Sequence, residues 1–127
     1  MNLLIVDDSL VVRNAIERSA HMDEISEIFR AENGLEAVQL FDRHRPPLVT
    51  MDLTMPELDG LEAIRQIRAY EPNASILVIS ALNSYETALE AIRRGACGFL
   101  TKPFTEREVT DALGDLIEHA ERQRVTA

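Results

Sequence analysis

Residues 3–18 read LLIVDDSLVVRNAIER. The four apolar residues Leu3-Leu4-Ile5-Val6 run without polar alternation, the pattern of a strand covered on both faces. Two aspartates and a serine follow. Leu10, Val11 and Ile16, with Ala15 and Ser19, then fall at the spacing of an amphipathic helix. Asp8 or Ser9 can cap that helix. The stretch therefore reads as strand, short polar loop, helix.

The same unit recurs. Leu48-Val49-Thr50-Met51 and Ile76-Leu77-Val78-Ile79 also lack alternation, Cys97-Gly98-Phe99-Leu100 is a fifth short strand, and residues 25–29 alternate as an edge strand would. Helical spacing joins Leu35, Val38 and Phe41, then Leu61, Ile64 and Ile67, then Ala88, Leu89 and Ile92. A final helix is predicted over residues 106–121, with Val109, Leu113, Leu116 and Ile117 on one side. Asn33-Gly34, Asp59-Gly60 and Asn83-Ser84 supply the starts, and Gly95 after Arg93-Arg94 supplies a stop. Strands alternating with helices need right-handed crossovers, so the fold class is α/β: a parallel five-stranded sheet between helical layers, a (βα)5 three-layer sandwich.

Composition narrows the function. The 127 residues carry 13 Lys and Arg against 22 Asp and Glu, a formal charge of −9, with 46% hydrophobic residues. That is enough apolar content for one core, and the acidity argues against direct nucleic-acid binding, which needs concentrated basic residues. The one cysteine excludes an internal disulfide. No apolar run approaches the roughly 20 residues of a membrane span, and the start lacks a signal-peptide pattern, so no membrane insertion and a cytoplasmic location are expected. One domain over residues 1–121, with a short tail over 122–127, is expected.

Ligands of such sheets sit beyond the carboxyl ends of the strands. Asp7 and Asp8 end the first strand, Asp52 the third, Ser80 the fourth, and Thr101-Lys102 the fifth. Taken singly, Asp8 reads equally well as a cap, Ser80 as a turn residue and Lys102 as a solvated lysine. Together they form a site. Clustered carboxylates repel one another unless a cation joins them, and an all-oxygen set with room for water suits Mg²⁺. His21, His44 and His119 lie away from the strand ends and read as surface residues, and Cys97 as a small packed side chain. With Mg²⁺ and Lys102 to neutralise it, a phosphoryl group can be accepted by Asp52, which stands alone on its strand, as an aspartyl phosphate. Asp7 and Asp8 suit a metal-holding pair, and Ser80 can donate to a phosphoryl oxygen.

LLIVDDS at the start, MDLTMPELDG around Asp52, VISAL around Ser80 and GACGFLTKPF around Lys102 together resemble the receiver domains of two-component response regulators, over nearly the whole chain. The resemblance implies a flavodoxin-like sheet of order 2-1-3-4-5. It also implies Asp52 as phosphoacceptor and Asp8 as direct Mg²⁺ ligand. Asp7 assists, and Asp52 and the Thr54 backbone carbonyl complete the ligand set. Ser80 matches the switch hydroxyl, Lys102 the phosphoryl-binding lysine, Phe99 the aromatic switch, and Lys102–Pro103 a bond often cis. Thr54 and Leu82 match positions that tune the phosphoryl lifetime. The implied partners are a histidine kinase or histidine phosphotransfer protein as donor, and a downstream protein on the surface of the fourth helix, fifth strand and fifth helix. Charged residues there are Glu86, Glu90, Arg93, Arg94, Glu106, Arg107 and Glu108. A stand-alone receiver, not an enzyme beyond its own phosphorylation and dephosphorylation, is expected.

Three other readings fail on particular residues. A haloacid dehalogenase-type phosphatase needs a second Asp two residues after its nucleophile, where this chain has Thr54. A flavodoxin needs a phosphate loop where Asp7-Asp8 would repel the phosphate. An unphosphorylated interaction module would have no use for the intact set Asp7, Asp8, Asp52, Ser80 and Lys102.

Overall fold

The computed structural model describes the chain over residues 1–126 and its side chains over residues 1–124. Its elements run β1 (Leu3–Val6), α1 (Leu10–Arg18), β2 (Ile28–Ala31), α2 (Gly34–His44), β3 (Leu48–Met51), α3 (Gly60–Tyr70), β4 (Ser75–Ser80), α4 (Tyr85–Arg93), β5 (Gly98–Thr101) and α5 (Glu106–Thr126). The strands form one parallel sheet of order β2-β1-β3-β4-β5. This is the expected flavodoxin-like sandwich.

The absence of alternation in β1, β3 and β4 has a simple cause, for every residue in them is buried. Their side chains divide by parity. Leu4, Val6, Val49, Met51, Ile76 and Val78 join Phe41 of α2, Ile64 and Ile67 of α3 and Ala91 of α4. Leu3, Ile5, Leu48, Leu77 and Ile79 join Ile16 of α1 and Val109, Leu113 and Ile117 of α5. At about 1.5–3 kcal/mol for each large apolar side chain buried, these two layers are the main force holding the sheet between its helices.

Several expectations need correction. The second strand begins at Ile28, not in the alternating run at 25, because its register is fixed by β1, with Leu3 opposite Ile28 and Val6 opposite Ala31. Ile25 instead packs from the preceding loop onto the α1/α5 core. In α1, Leu10 and Val11 are 61% and 76% exposed, and the inward face is Val12 and Ile16, continued by Ala20 just past the helix. Ser9 sets that phase by capping, its hydroxyl accepting from the Val12 N–H. Leu35 and Ile92 are exposed too, while Ala37 and Ala91 face inward. The last helix continues past 121 to Thr126, so most of the expected tail is helical, and residue 127 lies outside the described residues.

Asn33, Asp59 and Ser84 cap α2, α3 and α4, each side chain accepting the N–H three residues on. Gly60, which follows Asp59, is required for space and not for its backbone angle. Its N–H donates to the Leu53 carbonyl at 3.1 Å, and a Cβ there would lie 2.1 Å from the Asp52 carbonyl oxygen. The loop after β3 is thus drawn against the start of α3. Gly60→Ala is expected to lower the unfolding free energy by about 1–3 kcal/mol, the usual range for forced overpacking, in a urea titration. A midpoint equal to that of the wild type would show that the loop yields freely.

Candidate functional site

The parallel register delivers four strand ends to one rim. Asp7 and Asp52 continue the ladder one residue past β1 and β3, the Asp7 N–H donating to Ala31 at 3.1 Å and the Asp52 N–H to Val6 at 3.0 Å. Ser80 ends β4, and its carbonyl accepts from the Lys102 N–H at 2.9 Å. Backbone hydrogen bonds, not side-chain contacts, therefore fix where these groups stand.

Carboxylate oxygens of Asp7, Asp8 and Asp52 come within 4.8 Å of one another. Asp7 and Asp52 are buried, at 1% and 4% exposure, while Asp8 is open to solvent. Because Ser9 caps α1, the Asp8 carboxylate is left for the pocket. Lys102 reaches between the buried pair, its Nζ 2.7 Å from Asp7 Oδ2 and 3.6 Å from Asp52 Oδ1. The other Asp7 oxygen accepts from the Ser9 N–H, and Asp52 Oδ1 accepts from the Leu53 N–H, both at 2.9 Å. One lysine does not balance three acids. Burial, reinforced by the charge of Asp7, pushes the Asp52 carboxyl up to about 6 against the opposing pull of Lys102 and the Leu53 N–H. An oxygen-only trio short of positive charge is a donor set that fits a hard divalent cation.

The other predicted residues are arranged around this centre. The Ser80 hydroxyl is fully buried and accepts from the Leu82 N–H at 3.1 Å. Thr54 is exposed, Leu82 is 47% exposed, and both line one groove beside the pocket. Phe99 is half-buried against the core shared with α2, α3 and α4. The Lys102–Pro103 peptide is cis.

A family model described as the response regulator receiver domain matches residues 3–114. The chain is a response regulator receiver domain. Among relatives of this receiver, the chemotaxis protein CheY of Listeria monocytogenes is 42% identical over 113 residues, covering 89% of this chain and 95% of its own. CheY of Thermotoga maritima is 40% identical, covering 87% and 92%. Of solved structures, the complex of CheX and CheY with BeF3 and Mg²⁺ from Borrelia burgdorferi superimposes with a TM-score of 0.86 at 30% identity, covering 92% of the receiver and 89% of that chain. A receiver domain from Vibrio parahaemolyticus gives 0.89 at 26% identity, covering 98% and 95%.

Two features of the receiver depart from what its motifs imply. Arg13 of α1 donates from Nη1 to the Asp7 carbonyl oxygen at 2.7 Å, pinning the backbone of the acidic pair. An arginine bonded to a carbonyl follows no side-chain motif; only its helical position facing the loop could have marked it. His119, expected at the surface, is partly buried, with Nδ1 2.8 Å from the Ser75 hydroxyl and 3.5 Å from Cys97 Sγ. Burial, with Arg122 and Arg68 nearby, holds its imidazole below the usual range. Cys97 precedes β5 rather than lying within it, and packs onto the α1/α5 core. No described helix is long and apolar enough to cross a membrane.

Proposed function

We propose that this receiver takes a phosphoryl group from a histidine kinase or histidine phosphotransfer protein onto Asp52 and uses it to change the surface formed by α4, β5 and α5. The observation that carries this reading is the buried Asp52 carboxylate with Lys102 Nζ 3.6 Å away and the two other acids beside it. An Asp52 oxygen attacks phosphorus as the bond to the donor nitrogen breaks, and that nitrogen keeps the released electron pair. Asp8, Asp52 and the Thr54 carbonyl would hold Mg²⁺, with Asp7 assisting. When bound, the ion supplies positive charge to the phosphoryl oxygens. Lys102 supplies the protein's own positive charge, and Arg13 keeps Asp7 in place. The receiver acts on no separate substrate and is a signalling module, not an enzyme.

The added group brings about −1.5 to −2 charges and three acceptor oxygens. Ser80 accepts from Leu82 and keeps its O–H to donate to one of them, and when the hydroxyl is drawn toward the phosphoryl group Phe99 can fill the space it leaves. Such a change needs two balanced states, one of which the phosphoryl group favours. The CheX complex of the Borrelia relative supports a protein as the class of partner.

Incubation with a small acyl-phosphate donor and Mg²⁺ should add the mass of one phosphoryl group to the intact protein and move backbone amide signals around Phe99. No mass change would overturn the assignment, and unmoved amide signals would remove the switch. Leu82 places an apolar side chain beside the phosphoryl position. Leu82→Glu is expected to shorten the phosphoryl lifetime roughly threefold to tenfold, less than a fully positioned general base achieves. Equal decay of the two phosphorylated proteins would remove Leu82 from that role.

A further inference from the structure

The loop after β3, the start of α3 and one side of α4 enclose a groove of about 480 Å³. Its floor is apolar. Met55 and Leu61 are half-buried in it, and Leu82 contributes an exposed face. Its rim is acidic, and none of the residues lining it is basic. Asp59 and Glu86 are exposed there, and neither has a basic partner within ion-pair distance among the described residues. Glu90 is different. Arg94 bonds it at 2.9 Å and lies 3.9 Å from Glu62, which Arg65 also holds, so both arginines of this face are committed within the domain. Two carboxylates without a basic partner thus stand over an apolar trough, Asp59 held by its cap on α3 and Glu86 open to solvent.

We propose that this groove docks a cationic amphipathic helix of a partner protein, with apolar side chains on Met55, Leu61 and Leu82 and lysines or arginines against Asp59 and Glu86. Charge selects this occupant. A nucleic acid or an anionic membrane would meet like charge at the rim, and a second copy of the chain carries −9. The side of α4 involved is also distinct. Glu86 and Glu90 are one turn apart and face α3, whereas Tyr85 and Ile92 are exposed elsewhere on the helix. The groove adjoins the output surface proposed above, because Glu86 and Glu90 belong to α4, but it opens on the α3 side of that helix, and Thr54 places it against the phosphoacceptor loop. The test below uses the unphosphorylated protein, so the two readings fail independently.

The test is titration of the ¹⁵N-labelled, unphosphorylated protein with a synthetic Leu/Lys amphipathic helix of about 14 residues, close to four turns. A scrambled peptide of the same composition, and therefore the same charge, serves as control. Amide shifts should concentrate in residues 53–61 and 82–90. Glu86→Lys should weaken binding roughly tenfold, while Glu118→Lys, the same charge change on exposed α5, should weaken it about twofold or less, because distant charges are screened. Leu82→Ser should weaken it as well, and the scrambled peptide should bind less tightly. Equal losses for the two charge reversals would overturn the proposal. So would shifts spread over the whole surface, or equal affinity for the scrambled peptide.

Discussion

Asp52→Asn is expected to abolish phosphorylation and, in the metal-free protein at neutral pH, to raise stability by about 1–3 kcal/mol. The first effect follows because an amide oxygen is too poor a nucleophile to replace the carboxylate. The second follows from the raised pKa. In the unfolded chain the carboxyl titrates near its ordinary 3.8, but in the fold it holds its proton to about 6. Below 3.8 both states are protonated and the site adds no penalty. As pH rises from there to about 6, the unfolded chain ionises first, so the fold loses stability, and above 6 the loss is complete. Two pKa units correspond to about 3 kcal/mol, an upper figure for what asparagine recovers. Asparagine keeps an oxygen to accept the Leu53 N–H and loses only the longer of the two Lys102 contacts. Urea unfolding in EDTA should show the gain at pH 7.5 and none at pH 3 or below. Mg²⁺ should then stabilise the wild type more than the variant. Equal midpoints in EDTA at pH 7.5 would mean that the buried charge is already compensated.

A functional residue that weakens its own fold also shows which features can be read from a chain and which cannot. Asp7, Asp8, Asp52 and Lys102 were legible because parallel strands deliver whatever follows them to one rim, and strands buried on both faces announce themselves as unbroken apolar runs. β2 was misplaced because alternation reports which face is covered and says nothing of register, which the pairing of Leu3 with Ile28 decides. Leu10 and Val11 were assigned inward because a nine-residue helix offers more than one plausible apolar stripe, and only the Ser9 cap settles its phase. Gly60 reads in the sequence only as part of a helix start. Its actual constraint is the Asp52 carbonyl against it, a contact that exists only once the loop has closed. Arg13 and His119 were missed for a related reason. One bonds a carbonyl six residues back, and the other a serine 44 residues away.

Lys102→Met is expected to have the opposite sign on stability and a comparable effect on function. Lys102 is the only cation within ion-pair distance of Asp7 and Asp52 among the described residues. Its removal leaves two buried carboxylates facing each other. Breaking one side of a buried pair typically costs about 3–5 kcal/mol, and the 19% exposure of the lysine side chain places the expected loss toward the lower end. Phosphorylation by the acyl-phosphate donor should fall by about 10²–10³, the usual consequence of deleting one preorganised charge partner of a transition state. Adding Asp52→Asn to Lys102→Met should recover more stability than Asp52→Asn yields alone, because the amide then removes a repulsion that nothing offsets; a double-mutant cycle in EDTA measures that coupling. Lys102→Arg separates charge from shape. A planar guanidinium keeps the positive charge and should recover much of the stability, yet it cannot place a compact ammonium 2.7 Å from Asp7 and 3.6 Å from Asp52 at once. Phosphorylation should therefore stay low in that variant. Full recovery of both by arginine would show that the site needs only a charge at this strand end, and not the lysine.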